Sequence, residues 1–244
     1  MSPAEERIVV VPARRASTRL PGKLLLAETG RPLLAHTLEH CLEARAPSRV
    51  VAAVDGPELA QVAEAAGAEA VLTDPALPTG SDRAWAILEK LPPGTQAVDV
   101  QADEPEIDPS SIDALFGALA EGSRVVTLSA PFPSGMDPED PSGVKVVAAS
   151  DGRALFFSRS RIPYPRGPGC PPRLHLGVYG YTREALARFA ASPRSPLELA
   201  EGLEQLRFLE IGEEIRVLAW PRAPCGINTR ADYDAFLERV AQRT

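Results

Sequence analysis

The segment Pro12-Ala13-Arg14-Arg15-Ala16-Ser17-Thr18-Arg19-Leu20-Pro21-Gly22-Lys23 sets three arginines, one lysine and two hydroxyls within twelve residues. Guanidinium forks and an ammonium point charge are what a polyphosphate requires of a protein. The bland alternative is a solvated basic loop. A site is favoured because the segment directly follows Ile8–Val11, a short apolar run that reads as a buried strand. A second cluster, Gln101-Ala102-Asp103-Glu104-Pro105, follows the apolar run Ala97–Val100. A carboxylate at that point can hold Mg2+, which binds nucleotides through one or two carboxylates plus phosphate oxygens. The alternative there is a pair of acids favouring the dipole of the next helix. His175 opens His175-Leu176-Gly177-Val178-Tyr179-Gly180-Tyr181, a strand whose glycines would let a ligand approach the backbone. Arg159, Arg161 and Arg166 bracket Pro163-Tyr164-Pro165 nearby and could receive a carboxylate.

Other chemistries fail on spacing. There is no G-x-x-x-x-G-K-[ST], and no G-x-G-x-x-G follows the first strand. His36-Thr37-Leu38-Glu39-His40 matches the H-x-x-E-H pattern. On a helical wheel, however, Leu34, Leu38, Cys41 and Leu42 form the apolar stripe and His36 and Glu39 face the polar side. A catalytic zinc would also need a third ligand and a cleft. Ser17 lacks the G-x-S-x-G elbow of a hydrolase nucleophile.

The elements that must position these residues alternate. Short apolar runs at Ile8–Val11, Arg49–Val54, Ala70–Thr73 and Ala97–Val100 read as buried parallel strands. Helices are predicted between them at about Pro32–Ala44, Pro57–Ala66 and Ser81–Leu91, with Pro32 and Pro57 suited to first-turn positions. Such alternation predicts an α/β fold with a parallel sheet covered on both faces, and ligands bind beyond the carboxyl ends of such strands. After a helix over Ser110–Glu121 and a strand over Arg124–Ser129 the texture changes. Val144–Ala148, Ala154–Ser158 and Leu176–Tyr181 are strand-like with no helix between them, which predicts a small antiparallel extension. Pro163–Pro172 reads as a loop. Ser195-Pro196-Leu197-Glu198 carries an N-cap, a first-turn proline and an acid at the third position, and starts a helix to about Leu209. Ile215–Trp220 is a last strand and Arg230–Arg243 a last helix.

Composition bounds the partners. The 244 residues are 44% hydrophobic and 24% charged, an ordinary globular profile that excludes a disordered tail or a coiled coil. A net charge of −7 with no basic block argues against nucleic acid. Cys41, Cys170 and Cys225 are far apart and form no C-x-x-C pair, so a reducing cytoplasm is the expected setting. The amino-terminal apolar run is too short and too acidic in its flank for a signal peptide or membrane span. No linker separates two domains, so 1–244 is expected to be a single domain.

Taken together the segments resemble one family, the cytidylyltransferases that activate the acidic eight-carbon sugar 3-deoxy-manno-octulosonate (Kdo). The resemblance rests on residues 12–23, VQADEP (100–105), VKVV (144–147), ALFFSRSRIPYPR (154–166), HLGVYGY (175–181), SPLELAEGLEQLRFLEIG (195–212) and GINTRADYDAFLERV (226–240), in family order. It implies a nucleotide-diphospho-sugar transferase (Rossmann-like) fold, with a dimerisation and sugar-site extension within about 144–215. It implies transfer of CMP from CTP to the anomeric hydroxyl of Kdo with loss of pyrophosphate, for lipopolysaccharide precursor synthesis, by a Mg2+-dependent homodimer. By motif position, Arg14, Lys23 and Asp103 would be catalytic. Pro12, Ala13, Arg14, Ser17, Arg19, Lys23, Ser81, Arg83 and Gln101 would bind the nucleotide. Gln101, Arg161, His175, Tyr179, Glu204 and Gln205 would bind the sugar, and Asp103 and Asn228 the metal. A different acidic sugar, or a nucleotide-binding or sugar-binding homologue with weakened turnover, are the alternatives.

Three departures from the family pattern bear on those roles. Gly226-Ile227-Asn228-Thr229 has an amide where the family has the aspartate that is its second metal ligand. Leu77-Pro78-Thr79-Gly80-Ser81-Asp82-Arg83 lacks the family's leading histidine, and Ala102 replaces a glycine.

Overall fold

The computed structural model describes residues 6–77, 79–167 and 169–242. Pro78 of the histidine-less motif, Pro168 of the Pro163–Pro172 loop, Met1–Glu5 and the last two residues lie outside them. The chain divides into two compact units: one takes in everything up to Phe116 and returns from Pro224, and the other is Gly117–Ala223.

The first unit is the alternating α/β part. Strands β1 (Arg7–Ala13), β2 (Arg49–Val54), β3 (Glu69–Leu72) and β4 (Gln96–Asp99) lie in the order β3-β2-β1-β4, all parallel. The apolar runs of β1, β2 and β4 are continuous because both faces are covered, and Ile8–Val11 and Val51–Val54 are fully buried; β3, expected to be buried, is the edge strand and leaves Glu69 and Leu72 exposed. Helices α1 (Leu33–Glu43), α2 (Pro57–Ala65) and α3 (Gly80–Leu88) make the crossovers. Pro57 takes the first helical position as expected, whereas Pro32 is the N-cap of α1, one residue before it. The terminal helix α8 (Arg230–Ala241) belongs to this unit and starts with a capping box of Thr229 and Asp232.

That last helix corrects one expectation. His36 does not share the polar face with Glu39. It is buried, its Nε2 lies 2.8 Å from Thr29 Oγ1, and its ring meets Phe236 of α8 edge-on at 5.1 Å. Leu42, assigned to the apolar stripe, is instead exposed. A wheel drawn on α1 alone could not include a covering helix from almost 200 residues away.

Helix α4 (Pro109–Ala120) carries the chain into the second unit. There β5 (Val125–Pro131) pairs antiparallel with β8 (Arg173–Thr182) and parallel with β9 (Ile215–Ala219). Strands β6 (Lys145–Ala148) and β7 (Ala154–Ser158) form an antiparallel hairpin, and β6 also pairs antiparallel with β8. A helix absent from the sequence-based assignment, α5 (Arg183–Ala191), follows β8 directly, capped by the Thr182 side chain. The helix predicted from Ser195 to Leu209 is two helices, α6 (Pro196–Glu201) and α7 (Gln205–Glu210). The break is at Gly202, whose φ of 62° is the left-handed geometry that ends a helix.

Candidate active site

Hydrogen bonding between β1 and β4 pairs Val10 with Asp99 and continues from Val100 N to Val10 O at 3.0 Å. The loops leaving the two carboxyl ends therefore run side by side. A short 3-10 turn, Lys23–Leu25, ends the first loop and delivers the Lys23 ammonium to Asp103 Oδ2. The same ammonium donates to Ile227 O at 2.9 Å, and Ile227 N donates to Asp103 O at 2.8 Å. Three segments distant in sequence thus meet at one lysine: the basic loop, the acidic loop and the approach to α8. Arg19 donates to Asn228 Oδ1 at 2.7 Å, closing the basic loop onto the same approach.

The remaining nucleotide candidates fall into two groups. Pro12 and Ala13 end β1, Ser17 is half-buried on the loop, and Arg14 is exposed with no side-chain hydrogen bond or ion pair among the described residues. Arg15 is committed elsewhere, bonding Asp55 through its backbone and Glu58 through its side chain at 3.0 Å, and it anchors the loop against β2 and α2. Gln101 and Pro12 lie against the start of α3: a Cβ on Gly80 would stand 3.4 Å from Gln101 Nε2 and 3.7 Å from Pro12 Cγ. Ser81 sits in that first turn. Arg83 is buried and donates to Thr73 Oγ1 at 2.6 Å and to the Pro75 carbonyl at 3.3 Å, so in this structure it braces the loop before α3. Thr79 and Asp82 of the same motif cap α3, with the Thr79 hydroxyl 2.7 Å from the Asp82 carboxylate.

Glu104 is a group that motif reading passed over. Burial, and then the charge of Asp103, push its carboxyl up to about 8. Gly226 is the reason it fits, because a Cβ there would stand 2.7 Å from Glu104 Oε1. A neutral Glu104 leaves Asp103 as the carboxylate that answers Lys23. The replacement of glycine by Ala102 carries no strain: among the described residues none other than glycine has a positive φ, and the Ala102 carbonyl accepts from the buried Thr37 hydroxyl at 2.9 Å.

Among the described residues no group of three or more His, Cys, Asp or Glu could hold a metal by itself. A nucleotide-borne Mg2+ does not need one, since it keeps waters and phosphate oxygens around one or two protein oxygens. Asp103 and the amide oxygen of Asn228 are oxygen donors of that kind, and both already answer a cation, Lys23 and Arg19 respectively. The donor set fits the ion.

The sugar candidates, Gln101 apart, stand on the second unit. His175 pairs with Ser129 across β5 and β8, just past the register slip between Thr127 and Leu128, and its ring reaches the Thr127 hydroxyl. The Thr127 hydroxyl reaches the carbonyls of Leu176 and Val178 at 3.1 and 2.8 Å, and His175 Nε2 lies 3.1 Å away. With its proton given to a carbonyl, the hydroxyl accepts from Nε2–H, which leaves Nδ1 as an acceptor. Phe157 and Tyr179 enclose the ring, with centroids at 5.0 and 5.3 Å, and burial pushes the His175 pKa down to about 3. His175 is therefore neutral, with a ring nitrogen that can accept from a hydroxyl and no charge to offer a carboxylate. Tyr179 stacks on Tyr181, which stacks on Phe208. Glu204 is the N-cap of α7 and Gln205 its buried first residue. Arg161, the nominated cation, pairs with Glu139 at 3.0 Å, and its Nε is buried without a hydrogen bond among the described residues. Arg159 is not free for a carboxylate, because its guanidinium is spent on the carbonyls of Glu201, Pro141 and Gly202.

A separate cavity of about 640 Å3 opens where β5 and β9 begin, lined by residues including Arg124, Arg153, Arg188 and Glu213. It contains none of the nominated residues, and Glu213 is already paired with Arg124 and Arg188.

Residues 8–215 match the cytidylyltransferase family. The 3-deoxy-manno-octulosonate cytidylyltransferase of Rhodospirillum centenum is 44% identical, over 97% of this chain and 94% of its own length. The enzyme of the same name from Synechococcus elongatus is 38% identical over 97% and 98%. Among solved structures, a CMP:2-keto-3-deoxy-manno-octonic acid synthetase complexed with CTP superposes with a TM-score of 0.93 at 33% identity, covering 98% of this chain and all of that one. A 4-diphosphocytidyl-2C-methyl-D-erythritol synthase from Anaerococcus prevotii, at 12% identity and a TM-score of 0.65, shares the fold. The α/β architecture is that of the nucleotide-diphospho-sugar transferases, and the chain belongs to the 3-deoxy-manno-octulosonate cytidylyltransferase family.

Proposed function

We propose that this protein transfers CMP from CTP to the anomeric hydroxyl of Kdo. The hydroxyl oxygen attacks the α-phosphorus, the bond from that phosphorus to the bridging oxygen breaks, pyrophosphate leaves with the electron pair, and the hydroxyl proton is released. The observation that carries the reading is the junction at Lys23, where the basic loop, Asp103 and the Gly226–Thr229 segment meet in a chain of this family. Phosphoryl transfer is governed by positioning and charge neutralisation more than by covalent chemistry. Arg14 and Lys23 supply mobile and anchored positive charge to the triphosphate, with Arg19 and Ser17 beside them. Asp103 and Asn228 would hold Mg2+, which when bound neutralises phosphate charge. Neutral His175 accepts from a sugar hydroxyl through Nδ1, and Arg161 answers the carboxylate. The reading includes a homodimer acting in the cytoplasm on the route to lipopolysaccharide. Among the described residues no helix is long and apolar enough to cross a membrane.

The test is pyrophosphate release by the purified protein given CTP, Mg2+ and a panel of acidic sugars. Release that depends on Kdo and exceeds that with the other sugars is expected. Binding of CTP with no release for Kdo would overturn the reading.

A further inference from the structure

Two of the matching segments, VKVV and SPLELAEGLEQLRFLEIG, contain buried charges to which no chemistry has been assigned. Lys145, the lysine of the first, is fully buried. It lies in β6 with Ser158 of β7 across from it on one side and Leu174 of β8 on the other. Its ammonium donates to the carbonyls of Asp140 and Arg159 at 2.7 and 2.6 Å. A buried ammonium whose direct hydrogen-bond partners are backbone carbonyls is costly unless those acceptors are strong, so these two carbonyls are tightly held.

Glu201 ends α6, immediately before the break at Gly202. Its carboxylate takes the Ser158 hydroxyl at 2.6 Å and the Arg159 backbone N–H at 2.9 Å. Arg159 returns the contact, donating Nε–H to the Glu201 carbonyl at 2.8 Å. The Ser158 hydroxyl and the Arg159 backbone N–H and Nε–H are thereby tied to Glu201, and the Arg159 carbonyl is tied to Lys145. The far side of the break is fixed as well. Arg207 of α7 makes a two-pronged bond to the fully buried Glu198 of α6 at 2.7 and 2.6 Å, and its guanidinium lies 3.9 Å over Phe189. Arg161 leaves this assembly two residues after Arg159, and Glu204 and Gln205 stand just past the break.

We propose that Glu201 is a positioning residue for the acceptor sugar: by locking the end of β7 to the α6–α7 break, it sets the spacing between Arg161 and the Glu204–Gln205 pair. The inference rests on the Kdo reading of those residues. A rigid arrangement of this kind suits a polyhydroxylated acid, whose recognition depends on several polar groups held in register. Nucleotide binding, which uses residues of the other unit, should not depend on it.

The experiment measures, for Glu201→Ala and Glu201→Gln, the KM for Kdo, the CTP affinity without sugar, and the thermal midpoint. Loss of a charge-assisted hydrogen-bonding partner should raise the Kdo KM of Glu201→Ala on the order of tenfold, with CTP affinity within about twofold of wild type. Glu201→Gln, which keeps one acceptor oxygen, should recover part of the difference. A role confined to folding would lower the thermal midpoint and leave the Kdo KM alone, or weaken both substrates together; either result overturns the proposal. Should Glu201→Ala fail to fold, Ser158→Ala removes only the hydroxyl contact. It is expected to raise the Kdo KM by about threefold, and an unchanged KM overturns the proposal. Wild-type protein without Kdo-dependent turnover would bring down the functional reading and this inference with it, whereas wild-type turnover with an unaltered KM in the variants removes this inference alone.

Discussion

The nucleotide candidates and the sugar candidates are held in different ways. In the first unit the cations stand on loops beyond fully buried parallel strands, and Arg14 and Arg19 remain exposed. In the second unit the polar groups lie on β5, on the β6–β7 hairpin and on a pair of short helices, where Thr127, Lys145, Ser158, Glu198, Gln205 and Arg207 are all buried. A triphosphate carries dense charge that long side chains can follow from solvent. A sugar offers hydroxyls, and discrimination between hydroxyl patterns needs buried partners that suffer when left unpaired. On the proposed reading the two units separate two tasks, charge neutralisation by cations on loops and hydroxyl reading by buried, mutually paired polar groups.

The strongest way to break this comparison is at the junction itself. Asp103→Asn leaves Lys23 without its carboxylate and would leave the proposed Mg2+ without a protein charge, and turnover should fall about a thousandfold in a pyrophosphate assay. Retention of a tenth of the activity would show that the junction is structural. Arg14→Ala and Lys23→Met come next. Each should lower kcat/KM for CTP roughly a hundredfold, with both kcat and KM affected, because the charge they meet changes during transfer. In the second unit His175→Ala should raise the Kdo KM about tenfold, read from initial rates at saturating CTP.

The buried histidine also sharpens the contrast through pH. His175 titrates near its ordinary value of 6.5 when unfolded and at about 3 when folded. Between those values the unfolded state binds more protons, so stability is full above about 6.5 and declines as pH falls toward 3. The slope should be about 1 kcal/mol per pH unit, measured by denaturant unfolding at pH 7, 6 and 5. His175→Gln should flatten that slope; an unchanged slope would mean that other groups produce it. The smallest effect is expected at Asn228→Asp. A second carboxylate should lower the Mg2+ concentration for half-maximal activity a few-fold, although Arg19 would hold part of the new charge. An unaltered Mg2+ titration would show that the amide is not a ligand position.

How far all this was legible in the sequence differs between the units for a physical reason. Parallel strands buried on both faces announce themselves as apolar runs, and β2 spans Arg49–Val54 as its run predicts. Ligands bind beyond the carboxyl ends of such strands, so the basic loop and Asp103 could be nominated without coordinates. The meeting of Lys23 with Ile227 could not, since nothing local links residues so far apart. In the second unit α5 hides behind β8 because only the Thr182 cap separates strand from helix. One periodic stretch became α6 and α7 because Gly202 adopts a left-handed conformation that periodicity does not encode. Glu104, Thr127 and Glu201 were invisible as site residues because their roles come from burial and pairing. Gly226, which a Cβ would turn into a clash with Glu104, was the available signal for the first of them.

One measurement bears most directly on the division of labour. CTP is titrated calorimetrically, without sugar, into wild type, Lys23→Met and His175→Ala. Lys23→Met is expected to weaken CTP binding at least tenfold, while His175→Ala binds CTP as wild type does. Equal weakening in both variants, or none in Lys23→Met, would contradict that division.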